Sequence, residues 1–216
     1  PMSGDWRGRS SHGDAGAFLA GDPVALRSAR FHTVASPTLV LGSAQPDADV
    51  DHRVAGALGV QVVRRRSGGG AVLLLPGEFV WLDLVIPAGD PLWHDDVGRA
   101  MVWVGQLWQV ALAGMGVVGE VHRGGLETTA WSRRVCFAGA GTGEVMHAGA
   151  KVVGVSQRRT RDWARFQSMC HLRWRPELVA ALVSPPRPAA ASLAPVAQAA
   201  PVDAESLRHR LIAGLP

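Results

Sequence analysis

Three features of the chain combine residue types that do chemistry. Lys151, in MHAGAKVVGVSQRR (146–159), is the only lysine; every other cation among the 22 Lys and Arg residues is arginine. Arginine presents a broad planar fork and lysine a compact charge on a flexible stem, so a tight pocket that must touch one oxygen accepts lysine and rejects arginine. A lone lysine in an arginine-biased chain reads as selected for that geometry, against the plain alternative that it persists by chance. The second feature is the run Ser67, Gly68, Gly69, Gly70 in RRRSGGGAV. Adjacent glycines between two strands either make a turn or bring bare backbone N–H groups up to a ligand. No Gly-Lys-Ser/Thr follows, so this is not a Walker loop. The third is Cys136, fifteen residues before Lys151. A nearby cation favours the thiolate, whereas a cysteine between Val135 and Phe137 also suits a small buried hydrophobe.

Other reactive residue types carry less. Cys170 in MCHLRW reads as filler, and His94 and His147 flank turns with no second ligand near them. With two cysteines and no CxxC, neither a zinc site nor a disulfide framework is expected. QRRTRDWARF mixes arginine with Trp163 and reads as a solvated loop. Asp83 falls in the middle of an apolar strand, where a carboxylate needs a partner.

Several elements must position these residues. TLVLG (38–42), VQVVRR (60–65), AVLLL (71–75) and FVWLDLVIP (79–87) read as strands, the last buried on both faces. DADVDHRVAGALG reads as a helix ending at glycine. The clearest helix spans about 95 to 113, where Val97, Met101, Val104, Trp108 and Ala111 draw one apolar stripe between Asp95–Asp96 and Gly114. VVGEVH, RRVCF and EVM read as short strands, with MHAGAK as a turn delivering KVVGVS. The fold class expected is α+β, a mixed and largely antiparallel sheet with packed helices. Residues 1–22 read as a loose N-terminal tail, 23–183 as the dense apolar domain, and 184–216 as a Pro/Ala-rich linker or a chain draped on the surface, followed by a short helix capped by Asp203.

Composition narrows the class. Hydrophobic residues make up 47% and charged residues 19%, which suits a globular core. Tyr and Asn are absent, and the arginine bias fits a GC-rich genome, so the net charge of +4 is weak evidence for a nucleic-acid partner and none is expected. No membrane span or signal peptide is read, and a cytoplasmic location is expected.

In order and spacing, RRxSGGGAV followed about eighty residues later by GxKVVGxxQRR resembles the lipoate–protein ligase family, relatives of the biotin–protein ligases. The resemblance implies a catalytic domain like that of class II aminoacyl-tRNA synthetases and biotin ligases. It also implies transfer of a lipoyl or octanoyl group to a lysine of an acceptor domain through an acyl-adenylate, with ATP and Mg2+ as cofactors. The acceptor would be a lipoyl domain of a 2-oxoacid dehydrogenase E2 or the glycine-cleavage H protein. Gly68, Gly69 and Gly70 would lie against the acyl chain and adenylate, with Ser67 and Val153 also in the substrate site. Arg65 would sit near the carbonyl or phosphate, Lys151 would contact the activated acyl oxygen, and Gly154 would let its strand pack beside the ligand. Burying about seven methylenes at ~0.8 kcal/mol each yields roughly 5–6 kcal/mol, short of the ~8 kcal/mol of micromolar binding. A cationic head-group site is therefore needed.

The chain departs from the family where His-Asp would follow the glycine loop (here Leu74–Leu75), in lacking any asparagine for the Asn-Asp pair, and in FQSMCHLRW where His-Gly-Thr stands. These losses bear on ATP-dependent activation. Some members of the octanoyl-carrier-protein transferases, a branch that resembles the ligases in fold but works through a cysteine thioester, have Cys-Phe shortly before the lysine segment, as at Cys136–Phe137. Two alternatives accompany the ligase expectation: a transferase taking its acyl group from acyl carrier protein with Cys136 as nucleophile, and a non-catalytic acyl-binding relative.

Overall fold

The computed structural model describes residues 6–216. Its spine is a seven-stranded sheet in the order β1-β2-β6-β10-β9-β8-β7, from β1 (Arg7–Gly13), β2 (Ser28–Val34), β6 (Phe79–Pro87), β7 (Glu120–Val121), β8 (Val145–His147), β9 (Ala150–Arg159) and β10 (Trp163–His171). Only the β1–β2 pair is parallel. A second sheet, β4-β3-β5, joins β3 (Thr38–Leu41), β4 (Gln61–Arg64) and β5 (Val72–Leu74). The α+β class, mixed and largely antiparallel, is as the sequence predicts.

Strand periodicity sorts the core into layers. In β6, Val80, Leu82, Leu84 and Ile86 face α3 (Val97–Ala113), while Phe79 and Trp81 face the smaller sheet. Eight of its nine residues are buried, as the unbroken apolar run requires. On α3, Val104, Trp108 and Ala111 are buried along the predicted stripe, but Val97 at the first turn is 48% exposed. Asp96 caps that helix by accepting from Arg99 N at 2.8 Å, and Gly114 and Gly116 end it, the latter at φ +84°. The smaller sheet turns Leu39, Leu41 and Leu73 outward against α4 (Pro176–Leu182), and Val40 and Leu74 inward toward the spine. The gap between the two sheets is where the glycine run and Cys136 meet.

Several expectations need correction. Of the loose tail read over 1–22, residues 1–5 lie outside the described residues, but Arg7–Gly13 form β1 and Ala15–Ala20 form α1, capped by Asp14. The polar residues and glycines of β1 pair as an edge strand, and that pairing needs backbone rather than apolar side chains. RRVCF is not a strand: Val135 makes a single bridge to Ala71, and Cys136–Ala138 close into a 3-10 turn. QRRTRDWARF is not a solvated loop, because β9 runs to Arg159 and β10 starts at Trp163. Residues 184–216 do not hang free. α5 (Ala190–Leu193) and α6 (Ala204–Ala213, capped by Asp203 as expected) bury Leu193, Leu207 and Leu211 completely, and Lys151 N donates to Val196 O while Gln198 N donates to Lys151 O. Alanine and leucine between the prolines supply the apolar face that a linker lacks. The predicted helix after Gln45 also shrinks, to a 3-10 turn at Asp47–Asp49 and α2 (His52–Ala57).

Candidate active site

The glycine run is explained by what surrounds it. Gly69 has φ +98°, a backbone region that side chains disfavour. A methyl group on Gly70 would lie 2.8–2.9 Å from backbone atoms of Arg134, Val135 and Cys136. A methyl on Gly42, at the end of β3, would lie 1.8 Å from Gly69 O. The loop is thus wedged between the end of β3 and the turn that carries Cys136. Ala71 N donates to Arg134 O and Cys136 N to Ala71 O, both at 2.9 Å, which stitch loop and turn together.

Arg65 braces the loop from inside. Its guanidinium donates to Gly68 O (2.7 and 3.2 Å), Gly70 O (2.9 Å) and Val40 O (3.4 Å). Four of its five N–H donors are engaged by carbonyls, so the resemblance's role for Arg65, a cation beside a substrate carbonyl or phosphate, leaves it little to offer. Ser67 Oγ meets Ser156 Oγ at 3.1 Å, which ties the loop to β9.

Lys151 is 2% exposed, and its ammonium donates at 2.7 Å to Glu144 Oε2 and at 2.7 Å to the carbonyl of Cys136. It also lies 5.2 Å from the centre of the Phe137 ring. Glu144 is buried as well and accepts from Gly141 N at 2.7 Å. A buried ammonium needs such a partner. Glu144 is absent from the residues expected on sequence grounds; an acidic residue seven positions before a lone lysine, across a predicted hairpin, was the signal present.

Between the sheets lies a cavity of about 70 Å³ whose wall is mostly Leu19, Val40, Leu74, Trp81, Phe137 and Met169. Cys136, Arg65, Gly154, Ser156 and Gln167 also line it. Cys136 is a free, partly exposed thiol, and a methyl on Gly69 would lie 3.9 Å from its Sγ. Glycine at 154 has a steric reason, since a methyl there would press on the Phe137 ring at 3.3 Å. Gln167 was not singled out from sequence, yet its amide nitrogen is buried without a partner on this wall. Of the residues expected at the substrate site, Arg65, Cys136 and Gly154 are on the cavity wall. Gly68–Gly70 and Ser67 stand just behind it, and Lys151 touches it only through Cys136 and Phe137. Val153 is fully buried in the core under α3, on the other side of β9.

A second buried polar cluster supports α1. Arg165 donates through Nε and Nη2 to Asp83 Oδ2 (2.8 and 2.5 Å) and reaches Phe18 O and Gly21 O at the end of α1. His32 Nε2 lies 3.2 Å from the same carboxylate, and Trp81 Nε1 donates to its other oxygen at 2.7 Å. Burial alone would raise the Asp83 pKa; the His32 hydrogen bond and the Arg165 charge outweigh it and hold the carboxyl below its usual range. The partner that Asp83 requires is thus on β10. No group of three or more His, Cys, Asp or Glu that would hold a metal is found among the described residues.

The glycine-braced loop, the partly exposed thiol on the wall of the apolar cavity and the buried lysine behind it are thus gathered between the two sheets of an α+β fold. The family model for the lipoyl protein ligase A/B catalytic domain matches residues 26–210, and the chain belongs to that family. It is similar to the octanoyltransferase LipM of Carboxydothermus hydrogenoformans, 32% identical over 136 residues, covering 62% of this chain and 49% of that protein. The chain thus spans about half the length of that curated relative. Its fold is similar to a bi-partite lipoate protein ligase of Thermoplasma acidophilum, described together with its E2 lipoyl domain (TM-score 0.76, 16% identity, 96% of this chain and 81% of that one). It is also similar to a lipoate-protein ligase A bound with ATP (TM-score 0.69, 17% identity, 92% and 73%). At these identities the structural likeness speaks for the fold.

Proposed function

We propose that this chain is an acyltransferase that carries a medium-chain acyl group, octanoyl in the first instance, as a thioester on Cys136 and passes it to a lysine of a lipoyl-type acceptor domain. One observation carries the reading: the Cys136 side chain lies on the wall of the apolar cavity, beside the glycine loop, while Lys151 holds the Cys136 carbonyl from behind. The similarity to an octanoyltransferase supports it. In the first step the Cys136 thiolate attacks the carbonyl of an acyl thioester donor such as acyl carrier protein, and the donor thiol leaves with a proton. In the second the acceptor lysine, as a free amine, attacks the Cys136 thioester; an amide forms and the thiol is restored. The ammonium of Lys151, paired with Glu144, fixes the turn that aims the thiol by donating to the Cys136 carbonyl. The unpartnered Gln167 N–H is the donor open to an acyl oxygen in the cavity.

ATP fits these residues poorly. The cation nearest the glycine loop is committed to loop carbonyls and the lysine to Glu144, which leaves neither free to neutralise a phosphate. The slot itself is narrow. At about 70 Å³ it is well below the ~300 Å³ of ordinary small-molecule pockets, so an eight-carbon chain enters by displacing flexible wall residues, Met169 foremost.

The test is a mass spectrum of the protein after mixing with octanoyl-carrier protein. An octanoyl adduct on Cys136, absent in Cys136→Ser, is expected, with transfer to a lipoyl domain falling by at least ~10³-fold in that variant. A Cys136→Ser protein that still modifies the acceptor when given octanoate, ATP and Mg2+ would replace the thioester route with the adenylate route.

A further inference from the structure

On the far side of α1 from the acyl cavity lies a larger cleft of about 440 Å³, bounded by β1, β2 and the segment after α1. Nothing in the proposed transfer uses it. Its floor is the cluster of His32, Asp83 and Arg165; its walls include Arg7, Arg9 and Arg30. Strand register brings the last two together, since Arg9 pairs with Arg30 and Arg30 with Asp83, which sets them in one row on one face of the sheet.

The charge count is lopsided. Asp83 is matched by Arg165, and Asp22, also in the wall, is matched by Arg66 and Arg158 at 2.6 and 2.5 Å. Arg7, Arg9 and Arg30 are exposed and form no ion pair among the described residues. A second observation points the same way. His32 is 1% exposed, its Nε2 is held by Asp83, and its Nδ1 is buried with no partner. A phosphate monoester can meet that nitrogen in either state, through a P–OH where it carries a lone pair and through a P–O⁻ where it carries a proton. The remaining lining is apolar apart from Ser28, and on the rim Val24 is 74% and Leu26 41% exposed.

We infer that this cleft is a second binding site, for a phosphate ester carrying an apolar chain. Three unmatched guanidinium groups on one wall suit an anion with several oxygens, because each planar fork can take two of them. The Phe18, Val24 and Leu26 side takes the chain. The concave shape and a volume within the usual ~300–1,000 Å³ of small-ligand pockets favour a small molecule over a flat protein surface. α1 is the shared wall, with Phe18 on this side and Leu19 in the acyl cavity, so a ligand here presses on the element that bounds the acyl slot. Occupancy of the cleft does not depend on the transfer chemistry and is read by binding alone.

The experiment titrates the full chain with hexyl phosphate and follows the ring nitrogen resonances of His32 by NMR. The Nδ1 resonance should shift on saturation, and affinity should fall about tenfold or more in Arg9→Glu/Arg30→Glu. The milder Arg9→Gln/Arg30→Gln should weaken binding less, and added salt at ~0.5 M should weaken it in the parent. Both side chains are exposed, so thermal melts of the variants should match the parent. Hexyl phosphate that leaves the His32 resonances unmoved, or that binds the charge-reversed protein as well as the parent, would overturn the site.

Discussion

Individual side chains here are often held by partners far away in the chain, and His171 shows the energetic consequence. It is 4% exposed, with its ring tilted against Phe137 at 4.5 Å and Trp174 at 5.2 Å between centroids. Burial pushes its pKa down to about 3, with Glu78 offsetting part of the shift and Lys151 adding to it. The ring is neutral in the folded protein, while in the unfolded chain it takes a proton near pH ~6.5. Below that pH the unfolded state therefore binds the extra proton, and stability falls as pH drops toward 3, by up to ~1.4 kcal/mol per pH unit from this residue. In denaturant titrations between neutral and acid pH, His171→Phe should flatten that dependence; an unchanged slope would show that other groups set it. At this scale Lys151 and Cys136 were legible because rarity and spacing marked them. Glu144, Gln167 and the Asp83–Arg165 pair were not, since 82 positions separate that pair and only the sheet brings it together.

Among the elements, the strands whose alternation is purely apolar were plain from sequence, and those that bury polar groups were not. β10 escaped because Arg165, Gln167, Ser168 and His171 break its pattern, yet all but the partly exposed Gln167 are buried. Trp108 Nε1 donates to Ser168 Oγ, and Asp83 receives Arg165, so partners on other elements make that burial tolerable. RRVCF misled in the opposite direction, since apolar residues there close a turn against Ala71 rather than extend a ladder. The glycine run is a turn whose tightness comes from neighbouring backbone of the protein itself. Gly70→Ala should destabilise by ~1–3 kcal/mol, because its neighbours are backbone and cannot move aside. Gly68→Ala, which meets nothing within 4 Å, should be neutral or slightly stabilising. Equal melting temperatures for the two variants would contradict the wedge.

For the molecule as a whole, the segment from 184 onward belongs to the core. Leu193, Leu207, Leu211 and Leu215 are at most 2% exposed. At ~1.5–3 kcal/mol each they represent a sum comparable with the ~5–15 kcal/mol that holds an ordinary domain together. Deleting residues 184–216 should thus give an unfolded or aggregated protein rather than a trimmed one, as circular dichroism and gel filtration would report. A monomer with a native spectrum would refute this. Its Pro/Ala composition hid that role, because small side chains signal packing weakly and the leucines are widely spaced. No helix among the described residues is long and apolar enough to cross a membrane.

The backbone of Lys151 is clasped on both sides, its N–H by Val196 and its C=O by Gln198. A nascent chain that has just emerged from the ribosome through β9 still lacks that clasp. The lysine would stay unseated, and the thiol above it unaimed, until the stretch near Val196 had also left the exit tunnel. Maturation of the site would then wait on synthesis of that later stretch rather than on the folding of the sheet.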